Sequence, residues 1–308
     1  MPTGEQIGTV ESTLKPLLIV GVLSQECPIG AVRPVVLDSP HSGSHYPEDF
    51  GCLVPSIMLR RAEDMYVGEL FANGPQFGAT LLQAHFPRSY IDPNRAIDDL
   101  DPDLLDCEWP DEVQMGEKSQ LGHGLIWRFC PPDLLMYRDR LPSVQIRHRI
   151  EKYWQPYHEC LSTTINYLHR RFGQVWHLNC HSMPAASGAA IVRSNGRGNG
   201  RGRADFVLGD RDGTSCSLEL RSLIADTLHS FGYAVALNDP YKGVELVRAY
   251  SDPASARHSI QIEINRSLYM NERTLEKHSG FEPLKVDLDR LVSALGEYSI
   301  AEIPIAAE

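Results

Sequence analysis

The sequence predicts an α/β fold in which a mainly parallel sheet is covered by helices on both faces. Three observations predict it. Short β-branched runs alternate with helix-like stretches along the chain. Two of those runs, in "VVLDSPHS" and "VWHLNCHS", end in a His-Ser turn. A third, "SIQIEINR", alternates strictly between apolar and polar side chains.

The elements follow in order. "RPVVLDSPH" is a strand ending in a turn, and "SIMLRRAEDMYVGELFANG" reads as one helix closed by Gly74. "GATLLQAHF" is the next strand. Between Leu141 and Phe172, the side chains of Ile150, Trp154, Tyr157, Leu161, Ile165 and Leu168 recur at helical spacing. Pro156 should kink or divide that helix, and Gly173 should stop it. Strand "QVWHLNCHS", helix "SLELRSLIADTLHSFG", strands "YAVALND" and "SIQIEINR", and an amphipathic helix "EPLKVDLDRLVSALGEY" complete the pattern. No repeat or linker divides the chain, so residues 34–308 are expected to form a single domain, preceded by an extension, 1–33, of unknown role.

Composition narrows the function. The chain has 308 residues, with 29 Lys and Arg against 40 Asp and Glu, a formal net charge of −11. That balance argues against binding a nucleic-acid backbone and favours a small-molecule partner. Seven cysteines without a C-x-x-C pair suggest neither a disulfide framework nor a thiolate zinc site, which points to a reducing cytoplasm. The start lacks a basic segment before its apolar run, and no stretch approaches the roughly 20 apolar residues of a spanning helix. A soluble, unexported protein without a membrane partner is expected; oligomeric state is not legible.

The candidate site begins with the two His-Ser turns. Ligands of open parallel sheets bind beyond the carboxyl ends of strands, where His41 and His181 both lie. A metal held by two histidines needs a third protein ligand and an open position, and Glu63 or Asp64 supplies the nearest carboxylate. The competing reading is a solvated acidic pair in the first helical turns, favoured by the helix dipole. His45 is flanked by prolines that forbid a helical chelate. In "SIQIEINR", Ile260, Ile262 and Ile264 share one face, leaving Gln261, Glu263 and Asn265 on the other. A catalytic base or the wet face of an edge strand would explain that polar row. In "PRSYIDPNRAIDDLDPD", Arg88, Asp92, Asn94 and Arg95 present either a fork of donors to a carboxylate or a salt-bridged turn. The segment "RSNGRGNGRGR", 193–203, reads as a solvated loop or as an arginine lid over an anion. A cysteine hydrolase using Cys180 is disfavoured because adjacent strand residues point to opposite faces.

Taken together, "DSPHSG", "RAEDMYV", "RSYIDPNR", "HLNCHSMP", "GDRDGTSC" and "IQIEINRSLYM" resemble the ordered motifs of the N-formylglutamate amidohydrolase (deformylase) family over roughly residues 34 to 290. The resemblance implies a three-layer α/β/α sandwich similar to the zinc carboxypeptidases, one zinc ion per chain, and cytoplasmic hydrolysis of N-formyl-L-glutamate in histidine catabolism. It implies His41, Asp64 and His181 as ligands and Glu263 as general base. It further implies Asn94 and Arg95, with Asp92 beside them, at a substrate carboxylate; for the chemistry that follows, Arg88 is the nearby donor expected at the developing oxyanion. In "GHGLIWR", His123 and Arg128 read either as further substrate contacts or, more simply, as loop packing. The chain departs from the carboxypeptidase pattern H-x-x-E, because Ser44 is the third residue after His41. Two alternatives stay open: the same mechanism on another N-acyl acidic amino acid or amide, and a non-enzymatic binding protein on this fold.

Overall fold

The computed structural model describes residues 14–187, 191–192 and 202–301. Its centre is an eight-stranded sheet: β1 (Leu17–Ile19), β2 (Leu23–Glu26), β3 (Val35–Ser39), β4 (Thr80–Ala84), β5 (Val175–Met183), β6 (Phe206–Gly209), β7 (Val235–Leu237) and β8 (Arg257–Asn265). The spatial order is β1-β2-β4-β3-β5-β8-β6-β7. The run β4-β3-β5-β8 is parallel, as is β6 with β7, while β1, β2 and the β6–β8 pair are antiparallel.

Helices α1 (Ser56–Ala62) and α2 (Val67–Leu70) follow β3, and α3 (Ser143–Arg149) leads through a π-turn at Ile150–Trp154 into α4 (Gln155–Phe172). Pro156 thus lies at the start of α4, directly after the π-turn that interrupts the α-helical ladder, and Gly173 closes the helix with φ 74°. Helices α5 (Leu218–Ser230) and α6 (Phe281–Ala301) complete the set. Tyr157, Leu161 and Ile165 of α4 pack on one face of the sheet with Val36 and Leu82. Leu220 and Ile224 of α5 and Leu284 and Leu288 of α6 pack on the other, with Leu37, Leu178, Ile260 and Ile262. The result is the expected three-layer α/β/α sandwich.

Three sequence expectations change. Residues 17–26, expected in an extension, form the antiparallel edge pair β1–β2, which joins the sheet through β4. The helix expected over 56–74 is broken. Glu63 is extended, the Asp64 amide donates to the His41 carbonyl at 3.0 Å, and Tyr66 is left-handed at φ 67°. The break turns Asp64 inward over the β3 terminus. Strand β8 is interior, between β5 and β6, so its polar row is not a wet edge: Gln261, Glu263 and Asn265 are all buried. Of the Arg- and Gly-rich segment, only Gly202–Arg203 lies among the described residues, paired antiparallel with Ile191–Val192.

Candidate metal centre

Sheet register gathers the polar row. Asp38 of β3 stands opposite Asn179 of β5, and His181 of β5 stands opposite Glu263 of β8. Because side chains alternate, His177, Asn179 and His181 share the α4 side, and Cys180 points into the opposite core. Burial pushes the Cys180 thiol well above its usual range, so no thiolate is available. After β3 the chain turns sharply through His41. A Cβ at Gly43 would stand 2.3 Å from the Phe86 carbonyl oxygen, which explains a glycine in this turn.

His41, Asp64 and His181 converge, all buried, with one ligand atom from each lying within 4.8 Å of the others. The hydrogen bonds fix both imidazole tautomers. Asp92 is a carboxylate that can only accept, so the His41 Nε2–H donates to its Oδ1 at 2.7 Å and leaves a lone pair on Nδ1. Asn179 gives its Nδ2 to Asp38 Oδ1 at 2.9 Å, so its Oδ1 accepts the His181 Nε2–H at 2.7 Å. His181 Nδ1 therefore also carries a lone pair. Both Nδ1 atoms face Asp64 Oδ2, at 3.4 Å from His41 and 2.9 Å from His181. A divalent cation placed among these three donor atoms would be held by all of them at once. His41 Nδ1 is also buried without a hydrogen-bond partner. Two imidazoles, one carboxylate and partners on the outer imidazole nitrogens make a fitting donor set for a divalent metal ion.

Each ligand is braced from behind. Asp38, fully buried, accepts from His177 Nε2 at 2.8 Å and from the Tyr157 hydroxyl at 3.0 Å besides Asn179. His177 and Asn179 hold its carboxyl below the usual range against the opposing effect of burial. Asp64 Oδ1 accepts from Arg266 Nη2 at 3.1 Å, and the same guanidinium donates to Ser182 Oγ and to the carbonyls of Arg61 and Glu63. Glu63 is turned away from the centre and bound by the Tyr46 hydroxyl and Arg60. Burial raises its carboxyl to about 7.

Glu263 lies one strand over from His181. Gln261 Nε2 donates to its Oε1 at 2.8 Å, while Oε2 takes no hydrogen bond among the described residues. Burial and the negative Asp64 raise its carboxyl to about 8, opposed by Arg88 and Arg266. Arg88 donates through Nε and Nη2 to Asp92 Oδ2, at 3.3 and 2.9 Å, leaving Nη1 unspent.

Other expected contacts are redirected. Asp92 and Asn94 stand behind the histidines, in contact with His41 and His181. The Asn94 amide N–H binds Asp92 Oδ1, and its Oδ1 accepts from the Leu246 amide at 2.9 Å. Its Nδ2 lies 3.2 Å from His181 Nε2. Arg95 spends Nε on the His123 carbonyl at 3.0 Å and Nη1 on the Asn94 carbonyl at 2.8 Å, which ties it to its own turn and to the 123–127 loop. Arg128 pairs with Asp101 at 3.0 Å and Asp103 at 2.9 Å and is not brought to the centre. Sequence reasoning missed Asp38, Asn179 and Arg266. The signal for the first two was a polar residue inside an apolar strand, and for Arg266 its place just beyond the Glu263 strand.

The family model described as N-formylglutamate amidohydrolase matches residues 33–270. An N-formylglutamate deformylase of Pseudomonas putida is 27% identical over 269 residues, covering 85% of this chain and 92% of that one. The crystal structure of an N-formylglutamate amidohydrolase from Ralstonia eutropha JMP134 superposes with TM-score 0.85 at 45% identity, covering 91% of this chain and 99% of that one. A gene product of Agrobacterium tumefaciens shares the fold at TM-score 0.60 and 18% identity, covering 90% of this chain and 96% of that one.

Proposed function

The chain belongs to the N-formylglutamate amidohydrolase family, and from that premise we propose that it hydrolyses N-formyl-L-glutamate to formate and L-glutamate with a zinc ion held by His41, Asp64 and His181. The observation that carries this reading is the convergence of His41, Asp64 and His181, with Glu263 facing His181 from the next strand. When bound, zinc supplies a Lewis acid that acidifies water and polarises the amide carbonyl.

The protein supplies the rest. Gln261 pins one oxygen of Glu263, so the other is aimed as a base. Glu263, on the strand beside His181, takes a proton from the attacking water and returns it to the leaving nitrogen. The new bond is carbon to water oxygen, and the broken bond is formyl carbon to nitrogen. Arg88, braced on Asp92, offers Nη1 to the oxygen on which charge develops. Asp92 and Asn179 hold the imidazoles with their Nδ1 lone pairs inward.

Formate release by the metal-loaded protein from N-formylglutamate, N-formylglutamine, N-acetylglutamate and N-acetylaspartate tests this reading. A kcat/KM highest on N-formylglutamate, lost with the metal, is the expected result. Preference for an acetyl substrate would move the reading to another N-acyl acid. Absence of turnover on all four would leave a binding protein.

A further inference from the structure

The loop that follows the Arg95 turn holds two unused polar atoms. His123 and Trp127 pair across this loop, with ring centroids 4.9 Å apart. His123 Nε2 and Trp127 Nε1 are both buried, and neither has a hydrogen-bond partner among the described residues. Trp127 as a whole is only 5% exposed. An indole N–H can only donate, and burying it without an acceptor is unfavourable in a finished core.

The surroundings say which acceptor suits them. The Arg88 guanidinium lies 5.2 Å above the Trp127 ring and is bonded to Asp92, which is bonded to His41. Arg95 donates to the His123 carbonyl, and the Asp92 amide donates to the Leu125 carbonyl at 2.8 Å. The loop is therefore fastened to the same turn that braces the metal centre. Burial and the positive Arg88 and Arg95 push the His123 ring down to about 4, so it is neutral at pH 7, and the same positive potential favours an anion there.

We propose that Trp127 Nε1 and His123 Nε2 form a carboxylate subsite that takes the side-chain carboxylate of the substrate and selects an acidic over an amidated amino acid. This rests on the deformylase reading. With His123 in its Nε2–H form, each N–H to a carboxylate is a charge-assisted hydrogen bond, whereas the amide of a glutamine side chain offers a weaker acceptor and a donor that meets another donor.

The test uses Trp127→Phe and His123→Phe, which delete one ring nitrogen or both while keeping an aromatic ring for the Arg88 and loop packing. In the metal-loaded enzyme, each should lower kcat/KM for N-formylglutamate by about 10- to 100-fold, mainly through KM, and change N-formylglutamine by less than about threefold. Equal losses on both substrates, or none on either, would overturn the subsite while leaving the deformylase reading intact. Calorimetric titration with glutarate provides a readout without turnover. Its affinity should fall about tenfold or more in either variant. If wild type hydrolyses none of the formyl substrates yet glutarate binding depends on both rings, the subsite stands and the reaction assignment falls. Glutarate affinity unchanged in both variants would overturn the subsite. Should one variant fail to fold, the other decides alone.

Discussion

Asp92 stands between His41 and Arg88, accepting the imidazole Nε2–H at 2.7 Å on one oxygen and the guanidinium Nη2 at 2.9 Å on the other. Its carboxyl is held well below the usual range by Arg88 and His41, against complete burial. One charged group thus orients a candidate metal ligand and the cation proposed to meet the substrate carbonyl. Asp92→Asn should keep the shape but weaken the hold on the imidazole, lowering metal affinity about 10- to 100-fold. Competition with a chelator measures it, and an affinity within about twofold of wild type would remove this role.

Neighbouring carboxylates should separate in the same assay. Asp64→Ala should abolish stable metal binding, because its Oδ2 is the oxygen both Nδ1 atoms face. Glu63→Gln should retain metal, since that side chain is bound by Tyr46 and Arg60 outside the centre. Metal loss in the Glu63 variant alone would shift the ligand by one residue.

Glu263→Gln isolates the proton transfer. Metal and substrate should bind as before, while kcat drops by roughly 10²–10⁴-fold, the contribution of a positioned general base. A kcat within a few-fold of wild type would exclude Glu263 from the mechanism.

Arg95→Lys distinguishes a brace from a clamp. Its Nε and Nη1 are committed to two carbonyls, and an ammonium cannot reproduce that fork. The expected outcome is a lower Tm and a similar fall in kcat/KM for N-formylglutamate and N-formylglutamine. A loss confined to the acidic substrate would instead make Arg95 a direct carboxylate ligand.

Acid should destabilise the fold through His158. Its Nε2–H donates to the Pro93 carbonyl at 2.8 Å, and burial pushes the ring down from the ordinary 6.5 to about 4. The unfolded chain therefore binds a proton between those values that the folded chain refuses, so stability is complete above pH 6.5 and falls as pH drops toward 4. The full shift corresponds to about 3 kcal/mol. In His158→Gln, Tm at pH 7 should be lower and its decline toward pH 5 shallower. An identical slope in both proteins would refute the assignment.

The sheet and the inward histidines were legible because strand ends followed by turns leave a plain trace in sequence, and Ile260, Ile262 and Ile264 alternate without interruption. The helix break at Asp64 was not legible. Residues 56–63 are rich in helix formers, and the weaker Asp64, Tyr66, Val67 and Gly68 that follow do not by themselves mark the break, which the contact with the His41 carbonyl holds. Strands β1 and β2 were missed because 3- and 4-residue edge strands carry too few side chains to show a period. The roles of Asp92, Asn94 and Arg95 turned on orientation. Residue type reveals which groups can donate, but their partners depend on how the turn at 92–95 folds back on His181 and on the 123–127 loop.

His181 and Glu263 occupy facing rungs of one parallel ladder, with interior strands on either side. The span between them is therefore gauged by backbone hydrogen bonds, about 4.8 Å per strand step, rather than by any side-chain contact. A slip of one residue would turn either group through the sheet to the far face. The working distance consequently inherits the stiffness of the whole sheet, and heat should extinguish activity in step with cooperative melting of the central strands instead of eroding it gradually beforehand.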